Sequence, residues 1–280
     1  MTLPPPRSWL FVPADSEKKI GKAVQGDADA IIFDLEDSVA PDRKAEARAI
    51  LKELSRESGP RWWIRVNPID SEYHRDDLKL FAKSDFEGVV LPKAESGEDI
   101  RHLGYSTGGI PVHAIVTETP ASLFGLMSYA DDSFPLVAMS WGAEDLSAAL
   151  GASSKSDENG ELSFTYKMAR SFCLAGAVHA GAQPVDGVFT DVKDHDGLAA
   201  EARAAAREGF TGKLAIHPAQ VAIINDAFTP SDEEVAQAQA IVDAFAAEAG
   251  AGVLMVDGKM VDLPHLKQAE RLLVRANREA

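Results

Sequence analysis

Short apolar runs rich in β-branched or aromatic residues recur about every 25 to 30 residues, separated by segments with helical spacing of apolar positions. These runs predict strands at 9–12, 30–33, 62–66, 88–91, 112–116, 136–140, 187–190 and 213–216. Regular alternation of strands and helices predicts an all-parallel (β/α)8 TIM barrel. The alternative is an open, doubly wound sheet, which is weakened because no G-x-G-x-x-G motif follows the first strand.

Three segments between the strands have clear helical patterns. Residues 41–57 begin with Pro-Asp and carry Ala and Leu at helical spacing, 166–181 have a similar pattern, and 194–209 are alanine-rich and end at a glycine. The polar stretch 151–162 is expected to be a loop after the sixth strand.

The chain continues beyond the eighth predicted strand for longer than a barrel requires. Residues 229–250 predict an amphipathic helix with Ser231 or Asp232 at its N-cap, and an extended piece (252–264) and a last helix follow. We therefore expect a barrel at 1–228 and a C-terminal helical extension, or lid, at 229–280. The extension is expected to cap the barrel, to serve a neighbouring subunit, or to do both.

Composition narrows the class of protein. Apolar residues make up 45% of the chain and charged residues 26%, which predicts a folded core. The net charge of −16 argues against a general nucleic-acid or anionic-membrane surface, although a local basic pocket for one phosphorylated ligand remains compatible with it.

The single cysteine, Cys173, excludes an intrachain disulfide and is expected to be a buried small side chain. The N-terminal residues lack the layout of a signal peptide, and no run approaches the roughly 18 apolar residues of a membrane span. We expect a cytoplasmic protein that binds neither nucleic acid nor membrane.

Polar side chains follow almost every predicted strand. In barrel enzymes the chemistry lies at the carboxyl ends of the strands, so these residues are the first candidates for a site. In chain order they are Asp15; Asp34, Glu36 and Asp37; Arg65 and Asn67; Lys93; Glu118; Glu144 and Asp145; Asp191 and Asp194; His217 and Gln220.

The carboxylates in this set favour a metal site. Asp34 and Glu36 are two residues apart and project to the same side of an extended segment. Several carboxylates at one barrel mouth would repel one another, and Mg²⁺ or Mn²⁺ would relieve the repulsion. Arg65 is placed to bind a substrate carboxylate. The alternative is that Arg65 only neutralises Asp34 and Glu36 in a buried network.

His217 is open to two interpretations, a catalytic base or a hydrogen-bonded structural group, and its position before a proline favours the second. The sequence contains no HExxH, CxxC, P-loop or GxSxG motif, so common zinc, redox, nucleotide and serine-nucleophile sites are not indicated.

Seven motifs occur in a fixed order: RSWLFVPADSEKKIGKA, DAIIFDLEDSVAPDRKAEAR, WIRVNP, TETP, MSWGAEDL, DGVFTDVKDHDGL and GKLAIHPAQ. Together they resemble the citrate lyase β-subunit-like family of the HpcH/HpaI aldolase superfamily, from about residue 7 to about residue 270. The resemblance implies a modified (β/α)8 barrel, a homotrimer or hexamer, and a Mg²⁺-dependent carbon–carbon lyase. Its substrates would be 3-hydroxy-dicarboxylyl-CoA thioesters of the malyl-, citramalyl- or citryl-CoA type, which yield a keto acid and an acyl-CoA.

The resemblance also implies roles for individual residues. Glu118 of TETP and Asp145 of AEDL resemble the metal ligands, and Glu118 is also counted among the substrate-binding groups. Arg65 resembles the arginine that contacts the substrate carboxylate. Asp34 and Glu36 resemble catalytic carboxylates that lie near metal-bound water.

Two further segments carry implied roles. Lys18, Lys22 and Arg43 fall in segments that face coenzyme A in relatives. Asp262, in GKMVDLPHLKQA, resembles the aspartate that reaches a neighbouring subunit as catalytic acid or base, a role that requires burial to raise its pKa. One departure is Ala14, where the family has glycine after LFVP.

Three other functions remain open from sequence. The same metal site could direct water at malyl-CoA, which would make the protein a thioesterase. A metal-dependent aldolase could act on free hydroxy acids without coenzyme A. A non-enzymatic scaffold subunit is the third alternative, and the presence of Glu118, Asp145, Arg65 and Asp262 argues against it.

Overall fold

The computed structural model describes residues 4–56, 58–83, 85–130, 135–248 and 250–276. In this part of the chain, parallel strands pair in sequence order and the first pairs with the last, which closes a barrel. The strands are β1 Ser8–Pro13, β2 Ala30–Asp34, β3 Arg61–Arg65, β4 Gly88–Leu91, β5 Val112–Val116, β6 Leu136–Trp141, β7 Gln183–Asp186 and β8 Gly212–Ala215. The predicted (β/α)8 barrel is thereby confirmed.

Helices follow the strands, as the periodicity predicts. They are α1 Glu17–Ala23, α2 Lys44–Lys52, α3 His74–Leu78, α4 Gly97–Thr107, α5 Ser122–Gly125, α6 Ala143–Leu150, α7 Phe164–His179, α8 His195–Glu208, α9 Val221–Ala227, α10 Asp232–Ala247 and α11 Leu263–Ala276. Short 3-10 helices lie at Pro41–Arg43, Lys79–Lys83, Leu126–Tyr129 and Pro218–Gln220. The helix predicted at 41–57 therefore begins with a 3-10 turn and ends at Lys52.

Large aromatic side chains fill the barrel interior. Trp9 and Trp63 are buried and meet edge-to-face, with ring centroids 5.1 Å apart, and the His113 ring lies 4.6 Å from Trp9. Gly88 makes room for this packing, because a Cβ there would lie 2.2 Å from the Trp63 ring. The interior is therefore a packed core, and chemistry is left to the rim.

The seventh strand was predicted in the wrong place. It is Gln183–Asp186, whereas the prediction placed it at 187–190. The run VFT has a stronger β pattern than QPVD, which contains a proline and ends in a charge. The residue at the carboxyl end of the strand is therefore Asp186, not Asp191 or Asp194 as predicted. Asp194 caps α8 by accepting a hydrogen bond from the Gly197 amide at 2.8 Å.

The described residues from Asp226 onward, together with Pro4 and Pro5, form a second compact unit, and Pro6–Asn225 form the first. In the second unit, Ser231 caps α10 through a capping box with Glu234, which confirms one of the two predicted N-caps. An antiparallel hairpin, β9 Val253–Val256 and β10 Lys259–Asp262, leads into α11, which packs on α10. Among the described residues, no helix combines the length and the apolar character that a membrane span requires.

Candidate active site

Five of the predicted site residues lie at the carboxyl ends of β2, β3, β5 and β6. Asp34 and Arg65 end β2 and β3, Glu36 lies two residues beyond β2, and Glu118 two residues beyond β5. Asp145 lies in the first turn of α6, directly after β6. The barrel therefore brings these distant sequence positions to one rim, as the motif order predicts.

Arg65 binds both carboxylates of the second strand end. Its Nε and Nη2 donate to the two oxygens of Asp34 at 2.7 and 2.6 Å, and its Nη1 lies 2.7 Å from Glu36 Oε2. The guanidinium also stacks over the Phe11 ring at 4.7 Å. Burial alone would raise the pKa of Asp34, but the charge and hydrogen bonds of Arg65 hold that pKa below its usual value.

Glu36 is buried and incompletely satisfied. Its Oε1 accepts a 2.5 Å hydrogen bond from Lys93 Nζ, whereas Oε2 pairs with Arg65 without hydrogen-bond alignment and has no other hydrogen bond among the described residues. Burial raises the pKa of Glu36 in spite of the nearby cations Arg65 and Lys93. The two oxygens of Glu36 are thus held by two different cations, Lys93 and Arg65.

Lys93 connects the other members of the cluster. Its backbone has a left-handed φ of 54°, its amide donates to Glu118 Oε2 at 2.5 Å, and its ammonium lies 3.2 Å from Asp145 Oδ1. Burial would lower the pKa of Lys93, but the bond to Glu36 and the nearby carboxylates raise it. Sequence reasoning placed Lys93 at a strand end and gave it no role, because its contacts come from three separate loops.

Glu118 is a buried carboxyl group whose pKa is raised to about 8, first by burial and then by the negative charges of Asp145 and Glu36. Thr117, directly before it, has a left-handed φ of 60°. Gly142 lies against the carboxyl group, and a Cβ there would come within 2.8 Å of Glu118 Cγ and Oε1. The sequence motif SWGAED contains this glycine, but only the fold shows that it makes room for Glu118.

The charges of the cluster do not balance. Among the described residues, five carboxyl groups lie around the cations Arg65 and Lys93, so the carboxyl groups outnumber the cations; they are Asp34, Glu36, Asp37, Glu118 and Asp145. A divalent cation would neutralise that excess and lower the pKa of Glu118. No group of three or more His, Cys, Asp or Glu with metal-ligand geometry occurs in the described residues, and Mg²⁺ commonly takes one or two carboxylates together with water. The donor set therefore fits Mg²⁺.

A cleft of about 410 Å³ opens beside the carboxylates. Glu36, Asp37 and Lys93 line it on the side of the cluster, and the other lining residues come from the loops after β2 and β3 and the start of α2; they include Pro41, Lys44, Asn67 and Tyr73. This volume is within the range of small-molecule sites, but Arg65, Glu118 and Asp145 are not among the residues that line the cleft.

The remaining predicted site residues have other partners or are exposed. Lys18 and Lys22 are exposed on α1, and Arg43 pairs with Asp15 and Glu46. Asp262 ends β10 in the second compact unit, where a 2.5 Å contact with His265 lowers its pKa. The raised pKa that an acid role would need is therefore not present at Asp262 in the isolated chain.

Two structural interpretations are confirmed. His217 is exposed and caps the 3-10 helix Pro218–Gln220 by accepting from the Ala219 amide at 3.2 Å. Cys173 is fully buried in α7, and burial raises the pKa of its thiol.

Comparison with known proteins agrees with the motif series. The sequence matches the family described as HpcH/HpaI aldolase/citrate lyase over residues 7–218. It is 37% identical over 278 residues to a (3S)-malyl-CoA thioesterase of Cereibacter sphaeroides, covering 97% of this chain and 95% of that protein. It is 32% identical over 296 residues to the mitochondrial citramalyl-CoA lyase of Mus musculus, covering 97% and 86%.

A solved structure shows the same fold along almost the whole chain. It is the protein CitE from Mycobacterium tuberculosis in complex with magnesium, acetoacetate and coenzyme A, with a TM-score of 0.83 and 36% sequence identity. The match covers 96% of this chain and 97% of that one.

Proposed function

Because the chain belongs to the HpcH/HpaI aldolase/citrate lyase family, we propose that it is a Mg²⁺-dependent carbon–carbon lyase acting on an acyl-CoA. It would cleave or form a 3-hydroxy-dicarboxylyl-CoA thioester of the malyl-, citramalyl- or citryl-CoA type, with a keto acid and an acyl-CoA as the other side of the reaction. The observation that carries this proposal is the convergence of Glu118 and Asp145 on Lys93, whose ammonium also binds Glu36, the partner of Arg65.

In this proposal Glu118 and Asp145 hold Mg²⁺. When bound, the ion supplies Lewis-acid stabilisation and orientation of the substrate oxygens. Manganese has similar ligand preferences and is the alternative ion. The magnesium in the CitE complex of the M. tuberculosis protein supports the assignment.

Arg65 would bind the carboxylate of the hydroxy or keto acid. Asp34 takes two of its five N–H groups by hydrogen bonds and Glu36 lies 2.7 Å from Nη1, so one N–H on each of Nη1 and Nη2 is left for a substrate anion. The Asp34 pair and the Phe11 ring fix the plane of the guanidinium before substrate arrives. A fixed cation in a buried position stabilises developing charge more effectively than a mobile surface cation does.

The bond changes are simple in the cleavage direction. A base removes the 3-hydroxyl proton, the C2–C3 bond breaks to give the keto acid and an acyl-CoA enolate, and an acid protonates the enolate carbon. We assign the last step to Asp262, whose pKa would have to rise from its value in the isolated chain. No covalent nucleophile takes part in this scheme.

The decisive experiment is incubation of the purified protein with malyl-CoA, Mg²⁺ and an EDTA control. Glyoxylate and acetyl-CoA as products support the lyase, whereas malate and free CoA identify a thioesterase. The thioesterase is the second candidate because a (3S)-malyl-CoA thioesterase is 37% identical to this chain. Equal activity on free malate would identify an aldolase that does not need coenzyme A, and turnover that persists in EDTA would contradict the metal assignment.

The resemblance further supports a homotrimer or hexamer. Light scattering coupled to size-exclusion chromatography distinguishes these states from the 30.0 kDa monomer. An active monomer would contradict the proposal that Asp262 completes the active site of a neighbouring subunit.

A further inference from the structure

The ammonium of Lys93 occupies the position of a counter-ion inside the carboxylate cluster. Its Nζ lies 2.5 Å from Glu36 Oε1, 3.2 Å from Asp145 Oδ1 and 4.0 Å from Asp37 Oδ2. The ammonium therefore neutralises Asp145, a carboxylate that we assign to the metal.

An ion held by Asp145 would lie close to this ammonium. A magnesium–oxygen bond is about 2.1 Å long, so an ion bound to Asp145 Oδ1 would lie within about 5.3 Å of Nζ. Two cations at that separation repel strongly in a partly buried site. They would also share one carboxylate, whose single negative charge cannot neutralise both of them.

The two cations of the cluster differ in freedom to move. The Arg65 side chain is 12% exposed, bonded through two nitrogens to Asp34 and stacked on Phe11, whereas the Lys93 side chain is 29% exposed and carries its charge on a flexible four-carbon stem. The Lys93 backbone is fixed by its amide bond to Glu118. Only the side chain of Lys93 is therefore free to leave.

We infer that Lys93 is an internal competitor of the divalent cation, and that its ammonium leaves the Asp145 carboxylate when the cation binds. This inference rests on the proposed metal site. In the metal-free chain the ammonium keeps the repelling carboxylates together, and it makes the site bind metal less tightly than the carboxylates alone would. Lys93 also lines the cleft, so the displaced ammonium stays beside the site.

The test is calorimetric titration of the EDTA-treated full-length protein with Mg²⁺ alone, with no substrate present. Lys93→Gln is expected to bind Mg²⁺ at least about tenfold more tightly than the unmodified chain, because one competing charge is removed. Lys93→Arg keeps the charge and should stay within about threefold of the unmodified chain. The matched control is Lys155→Gln, which removes the same charge from a lysine paired with Glu144, the neighbour of Asp145.

Thermal unfolding gives a second readout. Metal-free Lys93→Gln should have a lower melting temperature than the metal-free unmodified chain. Adding Mg²⁺ should raise the melting temperature of Lys93→Gln by more than it raises that of the unmodified chain. Lys93→Asn provides a second variant, since asparagine tolerates the left-handed backbone at this position.

The outcomes separate the inference from the proposed function. If the unmodified chain binds Mg²⁺ and the Gln and Asn variants bind it equally or less tightly, the competitor role is wrong and the metal site stands. If Lys93→Arg binds Mg²⁺ more tightly to the same extent as Lys93→Gln, the competitor role is also wrong. The positive charge at residue 93 would then not be what weakens Mg²⁺ binding. If neither the unmodified chain nor any Lys93 variant binds Mg²⁺, the metal site itself is wrong and the inference falls with it.

Discussion

At the scale of single residues, the site depends on backbone conformations that side chains seldom adopt. Lys93 and Thr117 both have left-handed φ angles, and each lies next to or hydrogen-bonds Glu118. A left-handed conformation is a genuine outlier for a β-branched residue such as threonine. Strain of this kind clusters at functional sites, where the surrounding structure imposes it.

The metal ligands give the first prediction. Glu118→Ala and Asp145→Ala should each abolish Mg²⁺-dependent turnover and leave the barrel folded, because each removes one of two proposed ligands at the rim. Turnover with and without EDTA measures the effect, and circular dichroism checks the fold. Full activity in either variant would show that its carboxylate does not hold the ion.

The second prediction concerns Gly142. In Gly142→Ala the new Cβ must displace the Glu118 carboxyl group, so Mg²⁺ affinity should fall about 10- to 100-fold. Gly21→Ala is the control, since no atom lies within 4 Å of a Cβ built there. Calorimetric Mg²⁺ titration of both variants compares them, and an unchanged affinity in Gly142→Ala would mean that Glu118 need not keep its position.

At the scale of elements, one buried ion network joins β6, β7, β8 and α7. The carboxylate of Asp186 accepts hydrogen bonds from Trp141 Nε1, Arg170 Nε and Lys213 Nζ, each at 2.8 Å. Lys213 and Asp186 are both almost completely buried, so neither charge is solvated by water. The network therefore fixes the seventh strand, whose own sequence is a poor strand pattern.

The third prediction follows from this network. Asp186→Asn removes the buried carboxylate from Lys213, which keeps only the half-exposed Glu201 at 2.7 Å, and should lower the free energy of unfolding by up to about 3–5 kcal/mol at neutral pH. Urea unfolding measures the loss. Glu161→Gln, which removes an exposed pair with Lys167, should scarcely move the urea midpoint.

The pH dependence of this loss has a definite sign. Burial alone would raise the pKa of Asp186, but Lys213 and Arg170 lower it to about 2 from 3.8. The unfolded chain then binds more protons than the folded one below pH 4, so about 2 kcal/mol of stability is lost as pH falls from about 4 to about 2. The stability gap between the unmodified chain and Asp186→Asn should narrow over that range. A gap that stays constant would contradict the lowered pKa.

The elements also show what the sequence could and could not predict. Alternating apolar runs and helical periodicity locate seven of the strands, because buried parallel strands and amphipathic helices have distinct patterns. The strand at Gln183–Asp186 could not be located, because the charges that neutralise Asp186 come from α7 and β8. In the same way, the motifs mark Glu118 and Asp145 as candidate ligands. The contacts of Lys93 with both of them become visible only in the fold, because the three residues are far apart in sequence.

At the scale of the whole molecule, the role of the C-terminal extension stays a prediction. Truncation after Gly250 removes β9, β10 and α11, and it should reduce activity more than it reduces the stability of the barrel. Asp262→Asn is the milder variant and should also lose activity while keeping α10 and α11 intact. Turnover and thermal unfolding measured together make the comparison. A truncated protein with normal turnover would refute the lid role.

The division into two compact units has a practical consequence, because all the tryptophans and tyrosines fall in one of them. The tryptophans are residues 9, 62, 63 and 141, and the tyrosines are 73, 105, 129 and 166, so residues 226–280 contain neither. The four indoles are buried, and their emission reports the loosening of the barrel alone. Far-ultraviolet dichroism also records the helices of the extension. A mismatch between the two signals in one denaturation would therefore reveal whether the units unfold together or one after the other.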